Sequence, residues 1–319
     1  MKSSISKSAY LGWLAGALAA KSEGTITATR AQNLVLGYAT GYDAAQIAPF
    51  VRSLRAHFDG AVALVVDDRR DVRELLDEHQ VEVVHASAVD GWRPHAVMAR
   101  FATFLDLMNR HPNALDVLIT DVRDVVFQGD PFGAPLRGLE AFVEFEGGVL
   151  GDHAFNMKYL SLLVGDEIAD TLASRSCICV GTVMGPRKDI ARFCRTVLML
   201  AAIPRSEIGG AFGADQAACN LAIHMGLVEA EVKPNFGRVA TLGMTPGESL
   251  TFRDGLVVNP DGGVSPIVHQ HDRHPHLDRA VHALWGQGMV HHERVQAKTS
   301  GDRFRKLRQS LARRLPELR

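Results

Sequence analysis

The chain has 319 residues, a formal net charge of −1 and 46% hydrophobic residues. This composition is typical of a soluble globular protein, and the near-zero charge argues against a domain that holds nucleic acid electrostatically. The cysteines lack the spacing of a zinc site, which predicts buried, reduced thiols in a cytoplasmic protein. They are Cys177, Cys179, Cys194 and Cys219.

The first feature along the chain is an apolar segment at 10–20. It has only about half of the ~20 residues that a membrane-spanning helix needs. Lys2 and Lys7 precede it, as in a signal peptide, but Lys21 follows without a convincing cleavage site. We therefore predict an N-terminal extension, residues 1–32, that carries a short docking or interfacial helix.

Strands and helices alternate through the next ninety residues. The hydrophobic patterns predict strands at 33–39, 61–66, 81–85 and 115–120, and helices at 44–58, 72–79 and 95–109. Repeated β-α units with short connections predict an α/β fold with a mostly parallel, doubly wound sheet flanked by helices.

Two polar segments follow strands of this predicted sheet, at 40–43 and at 121–124. Ligands of such sheets bind beyond the carboxyl ends of the strands. Asp121 and Asp124 come directly after a buried apolar strand, where a carboxylate needs a cation as a partner. The pattern therefore predicts a cleft in which a divalent ion bridges these carboxylates to a phosphate.

The second half is less regular. Strands are predicted at 141–146 and 177–184, helices at 189–202 and 214–225, and a loop over the Gly- and Pro-rich stretch 234–266. Without repeats or linkers, residues 33–290 are expected to form one catalytic domain. The tail, residues 291–319, interleaves basic with apolar residues, which indicates an amphipathic helix that either docks on an anionic membrane surface or packs on the domain.

Four short motifs occur in a fixed order, at 121–124, 176–185, 213–220 and 268–275. Together they resemble the GT-A glycosyltransferases of the nucleotide-diphospho-sugar transferase superfamily, and most of all the retaining glycogenin and bacterial galactosyltransferase family. The resemblance extends over roughly residues 33 to 275. It implies a GT-A (Rossmann-like) fold and transfer of a sugar from a nucleotide-sugar donor to a carbohydrate or lipid-linked acceptor, as in cell-surface polysaccharide or glycolipid synthesis.

The resemblance also implies a metal site for Mn²⁺ or Mg²⁺, made by Asp121, Asp124 and His269. The family's D-x-D motif is replaced here by D-x-x-D, with Arg123 at the usual second position. Which carboxylate binds metal therefore stays open, as does the possibility that Arg123 partly replaces one as a phosphate partner.

Other residues are expected along the nucleotide and its phosphates, with Asp67 or its neighbour Asp68 near the base or ribose. The implied nucleotide-binding residues are Thr40, Tyr42, Asp43, Asp67, Arg100, Asp121, Arg123 and Arg273. Arg100 could instead be a solvent-facing helical arginine.

The resemblance assigns Asp215 and Gln216 to the catalytic centre, over the reactive carbon of the donor sugar. Asp215 could also be a helix N-cap, and the two roles are compatible. In the preceding motif Cys179 stands near the place of the family's asparagine, and Gly181 is present. The family arrangement favours retention, whereas Glu144 or Asp152 could supply the general base of an inverting enzyme.

Three alternatives stay open. A sugar-1-phosphate nucleotidyltransferase would share the sheet, but segment 39–43 lacks the Gly-rich, basic loop of that class. A non-catalytic nucleotide-sugar-binding relative would tolerate the irregular D-x-x-D motif. For segment 268–275 alone, three histidines and an aspartate would also suit a zinc hydrolase site.

Overall fold

The computed structural model describes residues 9–19, 33–85, 93–202 and 211–290. The helices are α1 (Ala9–Ala19), α2 (Ala44–His57), α3 (Arg70–Glu78), α4 (Ala96–Arg110), α5 (Ala154–Val164), α6 (Asp166–Leu172), α7 (Arg187–Ala201), α8 (Ala214–His224) and α9 (Pro275–Trp285). The strands are β1 (Asn33–Tyr38), β2 (Ala61–Val66), β3 (Glu82–His85), β4 (Asp116–Thr120), β5 (Val125–Phe127), β6 (Glu140–Val143), β7 (Ile178–Pro186), β8 (Glu231–Lys233), β9 (Val239–Thr241), β10 (Thr251–Arg253), β11 (Leu256–Val258) and β12 (Ile267–His269).

The central sheet has seven strands in the order β3-β2-β1-β4-β7-β6-β8. The first four run parallel, whereas β7 is antiparallel to both of its neighbours. Helices cover both faces: Leu34 and Leu36 pack towards α4 and α7, and Val35 packs towards α2 and α3. This double covering explains the continuous apolar runs in the parallel strands. The predicted mostly parallel α/β fold is confirmed.

The predicted elements of the first half are confirmed, with ends that differ by a few residues at most. The loop predicted at 234–266 is wrong in part, because β9, β10 and β11 lie within it. Each of these strands has only three residues, too few to show an alternating pattern between glycines and prolines. Helices α5, α6 and α9 were not predicted either.

A second, small sheet in the order β5-β12-β9 lies outside the central sheet. Its strand β12 is antiparallel to β5 and parallel to β9. This sheet brings the C-terminal part of the described chain back to the residues that follow β4, and it thereby positions the candidate site.

Helix α1 confirms the predicted N-terminal helix. Tyr10 and Leu14 are buried in the main core, and the Tyr10 hydroxyl donates a hydrogen bond to the Leu198 carbonyl at 2.9 Å. Among the described helices, none combines the length and apolar character required to cross a membrane. The four cysteines are buried and free, as expected. The predicted basic tail, 291–319, lies outside the described residues.

Candidate active site

Strand pairing brings Asp124 and His269 together. Asp124 immediately precedes β5, and His269 is the last residue of β12, where it stands opposite Val125 in the antiparallel register. The backbone N–H of Gln270 donates to the Asp124 carbonyl at 2.7 Å, and Gln270 has a left-handed φ of 62°. A non-glycine residue in this region costs free energy, and such residues are enriched at functional sites.

Asp121 completes a group of three metal-ligand side chains with Asp124 and His269. One ligand atom from each lies within 4.8 Å of the others. His269 Nε2 is 3.5 Å from Asp121 Oδ2 and 3.9 Å from Asp124 Oδ1. These separations exceed normal hydrogen-bond lengths, and a common ion could lie between the atoms. Within the described part of the chain, His269 Nε2 is buried and makes no hydrogen bond.

Gly181 of β7 leaves the space that this group needs. Its carbonyl accepts a hydrogen bond from the Asp121 backbone N–H at 2.7 Å. A Cβ atom at this position would lie 2.7 Å from His269 Nε2 and 2.9 Å from Asp121 Oδ2. Any larger residue would therefore push against two of the three candidate ligands.

The electrostatics of the group favour a positive charge at its centre. Burial raises the pKa of Asp121, but Arg100 and His269 outweigh burial and hold that pKa well below its ordinary value. Burial raises the pKa of Asp124 despite the opposing effect of His269. The pKa of His269 itself is well above its usual value, because Cys179 and the two carboxylates outweigh the effect of burial.

Arg100 connects this group to Asp215. The guanidinium is buried, and it forms ion pairs with Asp121 Oδ1 and, at 3.0 Å, with Asp215 Oδ2. It is not the solvent-facing arginine that the sequence left as an alternative. Burial raises the pKa of Asp215 to about 6 even though Arg100 opposes the change. Asp215 lies in the first turn of α8, where Gly213 is the N-cap residue.

The side chain of Gln216 forms hydrogen bonds to the backbone of β7. Its Oε1 accepts from the Val180 backbone N–H, and its Nε2 donates to the Ile178 carbonyl and to Glu144 Oε2, each at 2.9 Å. One turn later, Asn220 accepts a hydrogen bond from the Ile178 backbone N–H through Oδ1 and donates one to the Ile178 carbonyl through Nδ2. The motif 215–220 therefore fixes α8 to the strand that carries Gly181.

On the β1 side of the group, Tyr42 and two arginines lie close together. The Arg123 guanidinium lies over the Tyr42 ring, 5.8 Å from its centroid, and donates to Asp272 Oδ2 at 2.6 Å. Arg273 also approaches Asp272, at 3.6 Å, and its side chain is 43% exposed. Burial raises the pKa of Tyr42, and both Asp121 and Asp124 contribute to the change. The structure thus brings these predicted residues to the acidic group.

The remaining predicted nucleotide residues have structural partners elsewhere. Asp43 caps α2 by accepting from the Gln46 backbone N–H, and Asp67 Oδ2 accepts from the Gly41 backbone N–H at 2.6 Å. Thr40 is half-buried in the loop between β1 and α2. Asp43 lines an open cleft of about 460 Å³ whose wall also includes Asp71 and Glu74. Its excess of carboxylates disfavours a phosphate ligand.

Two contributors to the site were not assigned by sequence reasoning. Cys179 Sγ lies 3.6 Å from His269 Nδ1, on the ring edge opposite the carboxylates. Glu144 was considered only as a general base, yet its Oε2 accepts from Gln216, Asn156 and Cys177. The only sequence signal was that Cys177, Cys179 and Gly181 occupy every second position of one predicted strand.

No protein-family model matches the chain, and no curated protein matches it in sequence.

Proposed function

We propose that this protein is a metal-dependent glycosyltransferase that moves a sugar from a nucleotide-sugar donor to an acceptor hydroxyl with retention of configuration. The observation that carries the proposal is the convergence of Asp121, Asp124 and His269 beside the Arg100–Asp215 pair. Residues from distant parts of the sequence meet at one edge of a mostly parallel sheet, where ligands of such folds bind. The order of motifs that resembles the GT-A family is the second support.

The three side chains suit a divalent metal. Two carboxylate oxygens and one imidazole nitrogen form a donor set that Mn²⁺ accepts, and Mg²⁺ shares the preference for the oxygens. The buried His269 Nε2, which makes no hydrogen bond to any described residue, supports this fit. A bound Mn²⁺ or Mg²⁺ would neutralise negative charge that develops on the leaving nucleoside diphosphate.

The arginines near Tyr42 suit the diphosphate of the donor. Arg123 and Arg273 both approach Asp272, so two guanidinium groups lie on this side of the acidic group. A guanidinium can bind two phosphate oxygens at once, which fixes the orientation of the donor as well as its position. Tyr42 is half-buried beside Arg123 and offers a ring to the nucleoside.

Asp215 is the proposed group nearest to the reacting sugar carbon. Arg100 orients its carboxylate, and the same guanidinium orients Asp121, so donor binding and the reaction centre share one buried cation. A carboxylate held in this way can stabilise the positive charge that develops on the sugar. In this proposal Gln216 supports the site through its contacts to β7 and Glu144.

The test is a panel of nucleotide sugars incubated with the purified protein, with and without Mn²⁺. We expect hydrolysis or transfer of at least one donor, stimulated by Mn²⁺ and stopped by EDTA. Release of pyrophosphate from a nucleoside triphosphate and a sugar 1-phosphate would instead identify a nucleotidyltransferase. Tight donor binding without turnover would identify a non-catalytic relative, and full activity in EDTA would exclude the metal site.

The stereochemistry has its own test. Proton NMR of the first-formed product from an α-linked donor should show an α-linked product, whereas a β-linked product would refute retention. Asp215→Ala should reduce kcat far more than it raises the KM for the donor, because the proposed interaction develops in the transition state.

We further propose that the protein acts in the cytoplasm at the inner face of the membrane, on the basis of the basic, amphipathic sequence of its tail. Co-sedimentation with anionic liposomes should weaken as salt is added, and it should be lost when the chain is truncated after Gly301. Equal binding by the truncated protein would exclude the tail as the anchor.

A further inference from the structure

A row of aromatic rings lies beside the candidate site. Its members, here called the aromatic row, are His95, Phe145, His153, Phe155, Tyr159 and Phe212. Five neighbouring pairs of these rings have centroids 4.7 to 6.4 Å apart and meet at tilted or edge-to-face angles, and Phe155 belongs to three of the pairs. These are the separations and angles at which aromatic rings attract one another, so the row supports itself.

The centre of the aromatic row is open to solvent. Phe212 is 54% exposed and Phe155 is 40% exposed, although their rings lie 5.9 Å apart. Adjacent large apolar side chains on a surface commonly mark a binding site. Gly213, with φ of 91°, lets the chain pass close to the rings, because a Cβ there would lie 2.9 Å from both Phe155 and Tyr159.

Three members of the aromatic row are close in the sequence to residues of the candidate active site or share an element with them. Phe212 lies three residues before Asp215, and His95 is the N-cap of the helix that carries Arg100. Phe145 follows Glu144, which accepts a hydrogen bond from Gln216. The row therefore borders the reaction centre on the β6 side of β4, whereas Tyr42 and Arg123 border it on the β1 side.

We propose that the aromatic row binds a neutral oligosaccharide acceptor, with sugar rings stacked on Phe155 and Phe212. This inference rests on the proposed glycosyl transfer and names the substrate class of that same site. A pyranose ring has an apolar face of C–H groups, which are attracted to the electron-rich face of an aromatic ring. It also has hydroxyl groups at its edge, which need hydrogen-bond partners.

The composition of the aromatic row matches a sugar better than an acyl chain. Two imidazoles and a phenol are interleaved with the phenylalanines, and these groups donate and accept hydrogen bonds. A lipid chain could not hydrogen-bond with these groups and would be expected to select a continuous apolar groove. The position on the β6 side also leaves the side of Tyr42 and Arg123 to the donor.

The experiment measures the binding of maltohexaose, cellohexaose and chitohexaose by isothermal titration calorimetry and saturation-transfer NMR. Wild type should bind at least one of them. Phe155→Leu and Phe212→Leu keep an apolar side chain but remove the ring, and each should weaken that binding by about tenfold. Met225→Ala is the matched control, because Met225 is 51% exposed and lies at the other end of α8.

Several outcomes would overturn the proposal. These are no binding of any of the three oligosaccharides to wild type, unchanged binding in both leucine variants, and an equal loss in the Met225→Ala control. Loss of binding to phosphatidylglycerol vesicles in the leucine variants would show a lipid surface instead. Mn²⁺ affinity should not change in these variants, because neither ring belongs to the group of Asp121, Asp124 and His269. Failure of the acceptor site and failure of the proposed metal site therefore remain distinguishable.

Discussion

Two histidine–carboxylate groups of this protein contain histidines that are only two residues apart in the sequence, His269 and His271. The first contains His269 with Asp121 and Asp124. The second contains His271, whose Nδ1 is 3.5 Å from Asp278 Oδ1, and His282, whose Nε2 is 3.9 Å from the same oxygen. Their residue types are nearly the same, but among the described residues only the first group brings three ligand atoms within 4.8 Å of one another.

The two groups also differ in access. In the first, the Asp121 side chain is 36% exposed, so solvent reaches the group. In the second, His271 is fully buried, and the Asp278 side chain is only 7% exposed. A ligand group needs convergence and an entry path as well as suitable side chains. The zinc hydrolase site considered for segment 268–275 is therefore not supported, because His269 and His271 belong to different groups.

The largest expected effect comes from removing a ligand of the first group. Asp124→Ala and His269→Ala should each reduce Mn²⁺ affinity by about 100-fold or more and abolish Mn²⁺-stimulated turnover. Removing a carboxylate from a crowded acidic site relieves repulsion, so the melting temperature of Asp124→Ala should change little. Calorimetric Mn²⁺ titration and thermal melts measure both properties.

His282→Ala is the matched control for those two variants, because it removes a histidine from the second group. Its Mn²⁺ affinity should stay within about twofold of wild type. A loss in His282→Ala equal to that in His269→Ala would contradict the distinction between the two groups.

The next effect concerns the space at Gly181. Gly181→Ala should weaken Mn²⁺ binding by about tenfold, because the added methyl group would press on His269 and Asp121. Titration of the single and double variants tests the mechanism. In a His269→Ala background the same change should cost less, since the clash with the imidazole is gone. Equal losses in both backgrounds would mean that the methyl group acts through the strand and not through the site.

A smaller effect concerns the carboxylate that Arg100 joins to the first group. The folded-state pKa of Asp215 is about 6, above the ordinary value near 3.9, because the side chain is buried. The folded protein therefore binds more protons here than the unfolded chain between about pH 4 and pH 6. The stability contributed by this group is present at low pH and is lost as the pH rises through that range.

Asp215→Asn removes this titration, so its free energy of unfolding should rise relative to wild type between pH 4 and pH 6. The gain should reach about 3 kcal/mol and stay constant above pH 7. Urea denaturation at a series of pH values measures it. A difference between the two proteins that does not vary with pH would show that Asp215 titrates normally in the folded state.

The smallest expected effect is at Arg273, which follows His271 by two residues and has a 43% exposed side chain. Arg273→Ala should weaken the binding of a nucleoside diphosphate about threefold, and the difference should shrink at high salt. Arg253→Ala is the control, because Arg253 is also exposed and lies on β10. An equal change in the two variants would indicate only a general effect of charge.

The sequence predicted the central sheet well because the four strands between residues 33 and 120 are buried on both faces and carry long apolar runs. It also predicted the first histidine–carboxylate group, although through a family resemblance for His269. The residues alone did not distinguish His269 from His271, and the resemblance supplied that choice. In the structure the two histidines are separated by Gln270, whose backbone is left-handed. Sequence reasoning missed β5, because three apolar residues are too few to distinguish a strand from a loop. The register of β5 with β12 is what brings Asp124 to His269.

Helix α1 has a consequence for the architecture of the chain. Tyr10 and Leu14 fill the main core against α4 and α7, although residues 20–32 separate this helix from β1 in the sequence. A protein that starts at Asn33 would therefore lack part of its own core. A synthetic peptide of residues 1–20 should bind such a shortened protein from solution and raise its melting temperature in a concentration-dependent way. In that respect α1 behaves as an intramolecular ligand of the fold that follows it.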